Sequence, residues 1–516
     1  MDGAVLTRRG LLVGIGAAGG AGAMYAAMGA LGLAPDQQDK AFTPPRTGDF
    51  SLQGRAAAKV VILGAGVAGL TAAYELGKAG YDCTLLEARA KAGGRNLTLR
   101  GGDRLPELNG PTQEVKLGEG VYFNAGPARI AQWMVTLDYC RELGIPIETF
   151  VNRNSQAYIH NNGQTVRSGT ARADMYGYVA ELLAKAADRG ALDRKLTAED
   201  RERLLSFLRR FGDLGPKLDY EGTTRRGYID PPDLDAGTPL GPPASLRQVL
   251  AMGTGWAITN DFGYDQATPM FQPAGGMDMI VTKLAEAVGE DRITTGAKVT
   301  KITNLPDGVE VTWDGGSLKA DYCIATLPPH LLAKIPHNLG AQITAALRLP
   351  TPVATGKIGL EYDRRWWELE DRIYGGITET DLDITHLWYP SHDYHARRGL
   401  LIGYYNVGPA AELYGALTPE DRRRRALTQG KKIHGEKYRT GVLSDVSIAW
   451  ERQEHIQGGW VGWPGFDSSF TLLQRPSGRV YFAGDWLTRL VAWQAGSMES
   501  ARSVVTELHQ RVLRSP

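Results

Sequence analysis

The run Val60-Val61-Ile62-Leu63-Gly64-Ala65-Gly66-Val67-Ala68-Gly69-Leu70 constrains this chain more than any other segment. Four apolar residues lead into a G-x-G-x-x-G turn, a helix-like run follows to Gly80, and Thr84-Leu85-Leu86 reads as a second strand ending at the acid Glu87. The spacing predicts strand, glycine turn, helix, strand. Gly64 allows the tight turn, Gly66 lets the backbone approach a pyrophosphate, and Gly69 lets the helix pack on the sheet. Phosphates would sit at the positive end of the helix. Glu87 stands where a carboxylate accepts hydrogen bonds from a ribose 2′-hydroxyl. The segment is therefore expected to open a doubly wound α/β domain that holds a dinucleotide.

A chain of 516 residues exceeds one ordinary core, so two or three domains are expected. A net charge of +1 gives no basic footprint, and no nucleic-acid partner is expected. Cys83, Cys140 and Cys323 are far apart and read as small buried hydrophobes. The nine histidines show no metal-ligand spacing, so no metal site is expected.

Residues 1–34 resemble a twin-arginine export signal: Thr7-Arg8-Arg9-Gly10-Leu11-Leu12 precedes a weakly apolar Gly/Ala-rich stretch ending at Ala34. The expected location is periplasmic or secreted, with the Tat export machinery as a partner. Residues 35–54 read as a linker.

Past Glu87, the run Glu87-Ala88-Arg89 with Ala92-Gly93-Gly94-Arg95 resembles the doubled-glycine extension of the flavin amine oxidase superfamily, most closely its L-amino acid oxidases. The resemblance implies FAD, with Ala65, Val67, Ala68, Ala88, Arg89, Gly94 and Arg95 joining Gly64, Gly66, Gly69 and Glu87 in holding it. Segments spread over residues 58–512 carry the likeness further. Gly126-Pro127-Ala128-Arg129 resembles the run whose arginine pairs with the substrate carboxylate, and a planar guanidinium suits a planar carboxylate. Val299 matches a valine whose backbone meets the adenine. Lys357, inside the apolar strand-like run Pro352–Tyr362, matches a lysine that holds a water beneath the flavin. A lysine there needs a polar partner or water. His386-Leu387-Trp388-Tyr389-Pro390 resembles an aromatic strand facing the substrate. Its register is not fixed by sequence, and Tyr389 is preferred over Trp388. Trp460, after a glycine pair, matches a pocket aromatic. Ala483-Gly484-Asp485-Trp486 and Trp493 through Met498 resemble the second half of the FAD signature, with Gly484, Asp485, Trp493 and Met498 toward the cofactor. No cysteine occurs there, so the FAD is expected to be non-covalent.

The expected fold class is α/β: a two-domain, FAD-binding, Rossmann-like fold with a mixed-sheet substrate domain and a helical insertion. Residues 55–118, 266–340 and 465–516 are assigned to the FAD domain, 119–160 and 341–464 to the substrate domain, and 161–265 to the insertion. In the insertion, Tyr176, Tyr178, Val179, Leu182 and Leu183 form one apolar stripe and Leu204, Leu205, Phe207, Leu208 and Phe211 another. The resemblance implies oxidative deamination of L-amino acids with O₂, giving 2-oxo acid, ammonia and H₂O₂, with Arg129 and Lys357 as the working residues. A primary-amine or polyamine oxidase, an amino-acid dehydrogenase and a 2-monooxygenase stay open, as does homo-oligomer formation.

Overall fold

The computed structural model describes residues 50–266 and 269–514. Residues 1–49, which hold the expected export signal and most of the expected linker, lie outside the described residues.

The strand Lys59–Leu63 forms the centre of a five-stranded parallel sheet ordered 293–294, 82–86, 59–63, 322–325, 480–482. Its period of two explains why it reads as continuously apolar. Val60 and Ile62 face one core, with the helices Val67–Lys78 and Gln494–Arg514. Val61 and Leu63 face a second core, beneath the three-stranded sheet of residues 299–320. Both faces of a parallel sheet are covered, so alternation disappears. Cys83 and Cys323 are buried in this sheet and Cys140 in a helix beside it, all three as free thiols.

The second sheet has seven strands ordered 164–167, 158–161, 377–380, 386–388, 399–407, 355–362, 442–449. It is antiparallel except where 377–380 runs parallel to 158–161. The strand Thr355–Tyr362 is buried along its whole length, Lys357 included.

Helices Ser168–Asp188 and Ala198–Gly212 pack together, the second through Leu205 and Leu208 of its expected stripe and the first through a face other than the expected one. The face of the first that packs on Leu205 and Leu208 of the second is Ala180, Ala184 and Ala187, while Gly177 lies against the Tyr220 ring. Small side chains let the helix axes approach closely. A Cβ on Gly212 would come within 2.4 Å of the Ala180 Cβ. Val179, Leu182, Leu183, Phe207 and Phe211 point outward, with Phe207 and Phe211 stacked at 5.3 Å. Hydrophobicity alone had favoured the larger residues; closeness of approach decided for the smaller.

Among the described residues no helix is long and apolar enough to cross a membrane, and no metal-binding cluster of His, Cys, Asp or Glu occurs.

The glycine turn makes a paired prediction. A Cβ on Gly69 would sit 2.0 Å from the Gly64 carbonyl oxygen, whereas one on Gly66 meets nothing within 4 Å. Gly69→Ala should lower stability by about 1–3 kcal/mol, and Gly66→Ala should leave the urea midpoint of the cofactor-free protein unchanged. Equal midpoints for the two variants would contradict this packing.

Candidate active site

A long cleft runs between the two sheets, its lining reaching from the glycine turn past Arg95 and Asp485 to Lys357 and Tyr405, an extended path that suits a dinucleotide. One end is the glycine turn. Gly64, Gly66, Val67 and Ala68 line it, and the helix that starts there has neither a side-chain cap nor an acid in its first turn. Those free amides and the helix dipole favour an anion. Gly64 takes φ +97°, which only glycine adopts without strain. Glu87 lines the same end and accepts hydrogen bonds from the amides of Ala65 (2.8 Å) and Arg89 (2.9 Å). A carboxylate offers about four lone-pair sites, so it can still receive a hydroxyl.

Ala88, Arg89, Gly94 and Arg95 line the middle of the cleft with Gly126, Pro127, Gly484 and Asp485. Arg95 and Asp485 do not face it separately, as expected from sequence. They form a bidentate ion pair, at 2.5 and 3.2 Å, which joins the two halves of the signature across 390 residues. Arg95 also donates to the Gly459 carbonyl, and the Ala492 amide donates to Asp485. Open space at Gly66 and an uncapped helix start fit a bound dinucleotide.

Several expected contacts are displaced. Ala65 and Gly69 lie behind the turn, Ala65 donating to Glu87 and Gly69 packing on Gly64. The Val299 side chain is buried in the core beneath the sheet, which leaves its expected role, a backbone one, untouched. Met498 is fully buried; the start of the last helix does meet the cleft, but one turn earlier, through Gln494 and Ser497. Ala128 is buried in core packing beyond Pro127.

Lys357 lies on the wall at the far end. Its amino group donates to the carbonyls of Asn124 (3.3 Å) and Gly126 and sits 5.0 Å and 5.3 Å from the ring centres of Tyr405 and Trp388. Burial, aided by the charge of Arg129, lowers its pKa to about 7. A neutral amine has two N–H groups, matched here by two carbonyls. Its lone pair remains to accept a hydrogen bond from water.

Arg129 stands just beyond the cleft wall. Its guanidinium lies 4.8 Å from the centre of the Trp388 ring and donates to Asn152 Oδ1 at 2.5 Å. Burial lowers its pKa to about 10, which leaves it charged at neutral pH. Among the described residues no carboxylate lies within 4 Å of it. Asn152 in turn donates to the Gln266 carbonyl, and the neighbouring Asp265 accepts from the indole of Trp493 at 3.0 Å. Trp460 and Trp493 both line the cleft.

Tyr389 is the clearest displacement. Side chains alternate along a strand. Trp388 therefore faces Lys357 and Arg129, while Tyr389 points to the other side. There its hydroxyl is within hydrogen-bond distance of Thr378 (2.8 Å) and His434 (2.7 Å), fully buried.

Sequence reasoning missed Tyr405, His386 and Glu379. Cross-strand pairing sets them in one row with Lys357: Lys357 opposite Tyr405, Tyr405 opposite His386, His386 opposite Glu379. Burial, with Arg129 nearby, lowers the His386 pKa to about 4, so the ring is neutral. Only the sheet register reveals this row.

Comparison with known proteins agrees with this geometry. The chain is 26% identical over 474 residues to an L-amino-acid oxidase of Bothrops pauloensis, covering 87% of this chain and 89% of the relative. It is 26% identical over 477 residues to the L-amino acid oxidase bordonein-L of Crotalus durissus terrificus, covering 87% of each. Among solved structures, cyclohexylamine oxidase from Brevibacterium oxydans IH-35A superposes with a TM-score of 0.62 at 19% identity, over 89% of this chain and 100% of the other. Putrescine oxidase bound to putrescine gives 0.58 at 18%, over 88% and 99%. At such identities the structural likeness speaks for the fold alone. The sequence profile for flavin containing amine oxidoreductases matches residues 67–509. With nine-tenths of the described fold under that profile, and a cleft built for a dinucleotide, the chain belongs to the flavin containing amine oxidoreductase family, and its cofactor is FAD.

Proposed function

We propose that the protein oxidises L-α-amino acids, consuming O₂ and water and releasing 2-oxo acid, ammonia and H₂O₂. One observation carries this reading: the Arg129 guanidinium is largely desolvated beside the cleft and meets only a neutral amide oxygen. A buried cation without an anion is costly. A substrate carboxylate would complete it through two parallel charge-assisted hydrogen bonds.

The bound FAD supplies the two-electron oxidation and the route to O₂. The chain's own residues bind, orient and hold protons. Arg129 and Asn152 fix the carboxylate end. Trp388, Tyr405, Trp460 and Trp493 confine the rest of the substrate between aromatic faces, which restricts its orientation and supplies rate by positioning. Lys357, neutral above about pH 7, holds water through its lone pair.

A second reading is oxidation of amines that lack a carboxylate. It draws support from the acids near Arg129, Asp265 and Glu379, which would suit a cationic substrate. Export through the twin-arginine route is part of the first proposal and rests on Thr7 to Leu12.

Three experiments test this reading. Across a panel of L-amino acids and simple amines, amino acids should bleach the flavin anaerobically and yield peroxide in air. Arg129→Ala should raise KM for them about 10²–10³-fold, more than it lowers kcat, while bleaching by amines alone would establish the second reading. Peroxide formation should rise with pH through about 7, as Lys357 loses its proton. Lys357→Met should lack that inflection and be about 10²-fold slower; an inflection kept in Lys357→Met would exclude the role. Replacing Arg8 and Arg9 together by lysine should hold the protein in the cytoplasm, as fractionation would reveal; unchanged export would contradict the signal.

A further inference from the structure

Glu379 has no place in the scheme above, yet it ends the row that Lys357 begins. It lies on the strand Ile377–Thr380, opposite His386 and on the face of the sheet that carries Tyr405 and Lys357. Its carboxylate is half-buried and, among the described residues, makes no hydrogen bond and no ion pair within 4 Å. It lines a small recess, with room for about one water-sized group, shared with Asn152, the residue that holds Arg129. Two cations face it, Arg129 and Arg153. Arg153 is already engaged, donating to the Ala257 carbonyl and lying 3.5 Å from Asp261. Arg129 is committed to the carboxylate end of the substrate under the reading proposed above.

We propose that Glu379 selects L-amino acids with a cationic side chain, receiving the terminal ammonium or guanidinium while Arg129 holds the α-carboxylate. This rests on the amino-acid reading and narrows its substrate class.

Distance supports the assignment. Neighbouring strands lie about 4.8 Å apart, so a reacting carbon above Tyr405, one strand from Lys357, is about 10 Å from Glu379. An extended lysine side chain with one hydrogen bond reaches about 9 Å. Charge supports it as well. Burial raises the Glu379 pKa, and a bound cation would offset the cost of keeping the carboxylate ionised. A neutral side chain would leave that cost in place. An acidic one would meet Glu379 with like charge, and Arg153, which also faces Glu379, is already held by Asp261.

The test is steady-state kinetics of the FAD-loaded protein with L-lysine, L-ornithine, L-leucine and L-glutamate, for wild type, Glu379→Gln and Glu379→Asp. The wild type should favour lysine or ornithine over leucine by at least about tenfold in kcat/KM. Glu379→Gln should cut the lysine-to-leucine ratio about 10–100-fold, and Glu379→Asp should restore part of it. Preference for glutamate, or an equal loss on lysine and leucine in Glu379→Gln, overturns the proposal. Activity on leucine without preference for lysine overturns it while leaving the amino-acid reading intact. Turnover of amines but of no amino acid overturns both.

Discussion

The parallel pairing of Val60–Leu63 with Tyr322–Ala325 is the interaction on which the rest depends. It joins segments about 260 residues apart, and Tyr322–Ala325 then pairs with Val480–Phe482, over 150 residues further on. Those contacts bring the glycine turn and the segment Gly484–Trp493 to the C-terminal ends of the strands of one sheet. Parallel strands need such crossovers, and this chain uses the crossovers to insert the whole substrate sheet. The Arg95–Asp485 ion pair reinforces the same closure from within the cleft.

The electrostatics of the far end follow from crowding two cations into a poorly hydrated space. Arg129 keeps its charge there, because burial lowers a guanidinium from a very high starting value. Lys357 starts lower and gives up its proton near neutrality, with two carbonyls sized to the neutral amine. The pair thus divides into a permanent cation suited to an anionic substrate group and a titrating amine suited to water and protons. Among the described residues neither has a carboxylate partner, which separates this site from the buried Arg422–Glu107 pair, where both charges are satisfied and the role is structural.

The fold was legible where local geometry constrains residue type. Gly64 needs a positive φ, Gly69 has a carbonyl against it, and Glu87 is anchored by two amides, so the strand–turn–helix unit could be read from residues 60–87 alone. Lys357 was legible because a lysine in an apolar strand demands an explanation. The remainder depended on register and on contacts distant in sequence. Tyr389 and Trp388 are adjacent, and only the pairing of the strand His386–Trp388 with Gly399–Val407 decides which faces inward. Met498 is fully buried, and the cleft is met instead by Gln494 and Ser497, in the first turn of a helix that starts at Gln494. Glu379, His386 and Tyr405 carry no motif at all; three strands align them. In the insertion, alanines replaced the larger apolar residues as the packing face, since the closeness of two helices is not written in hydrophobicity.

The central claim is that Arg129 exists to hold a substrate carboxylate. The most direct measurement is a crystal structure of the FAD-loaded protein with a 2-oxo acid product bound. The account predicts both carboxylate oxygens at about 2.7–2.9 Å from the Arg129 guanidinium, with the α-carbon on the Lys357 side. A product carboxylate bound elsewhere, with Arg129 still held only by Asn152, would contradict it.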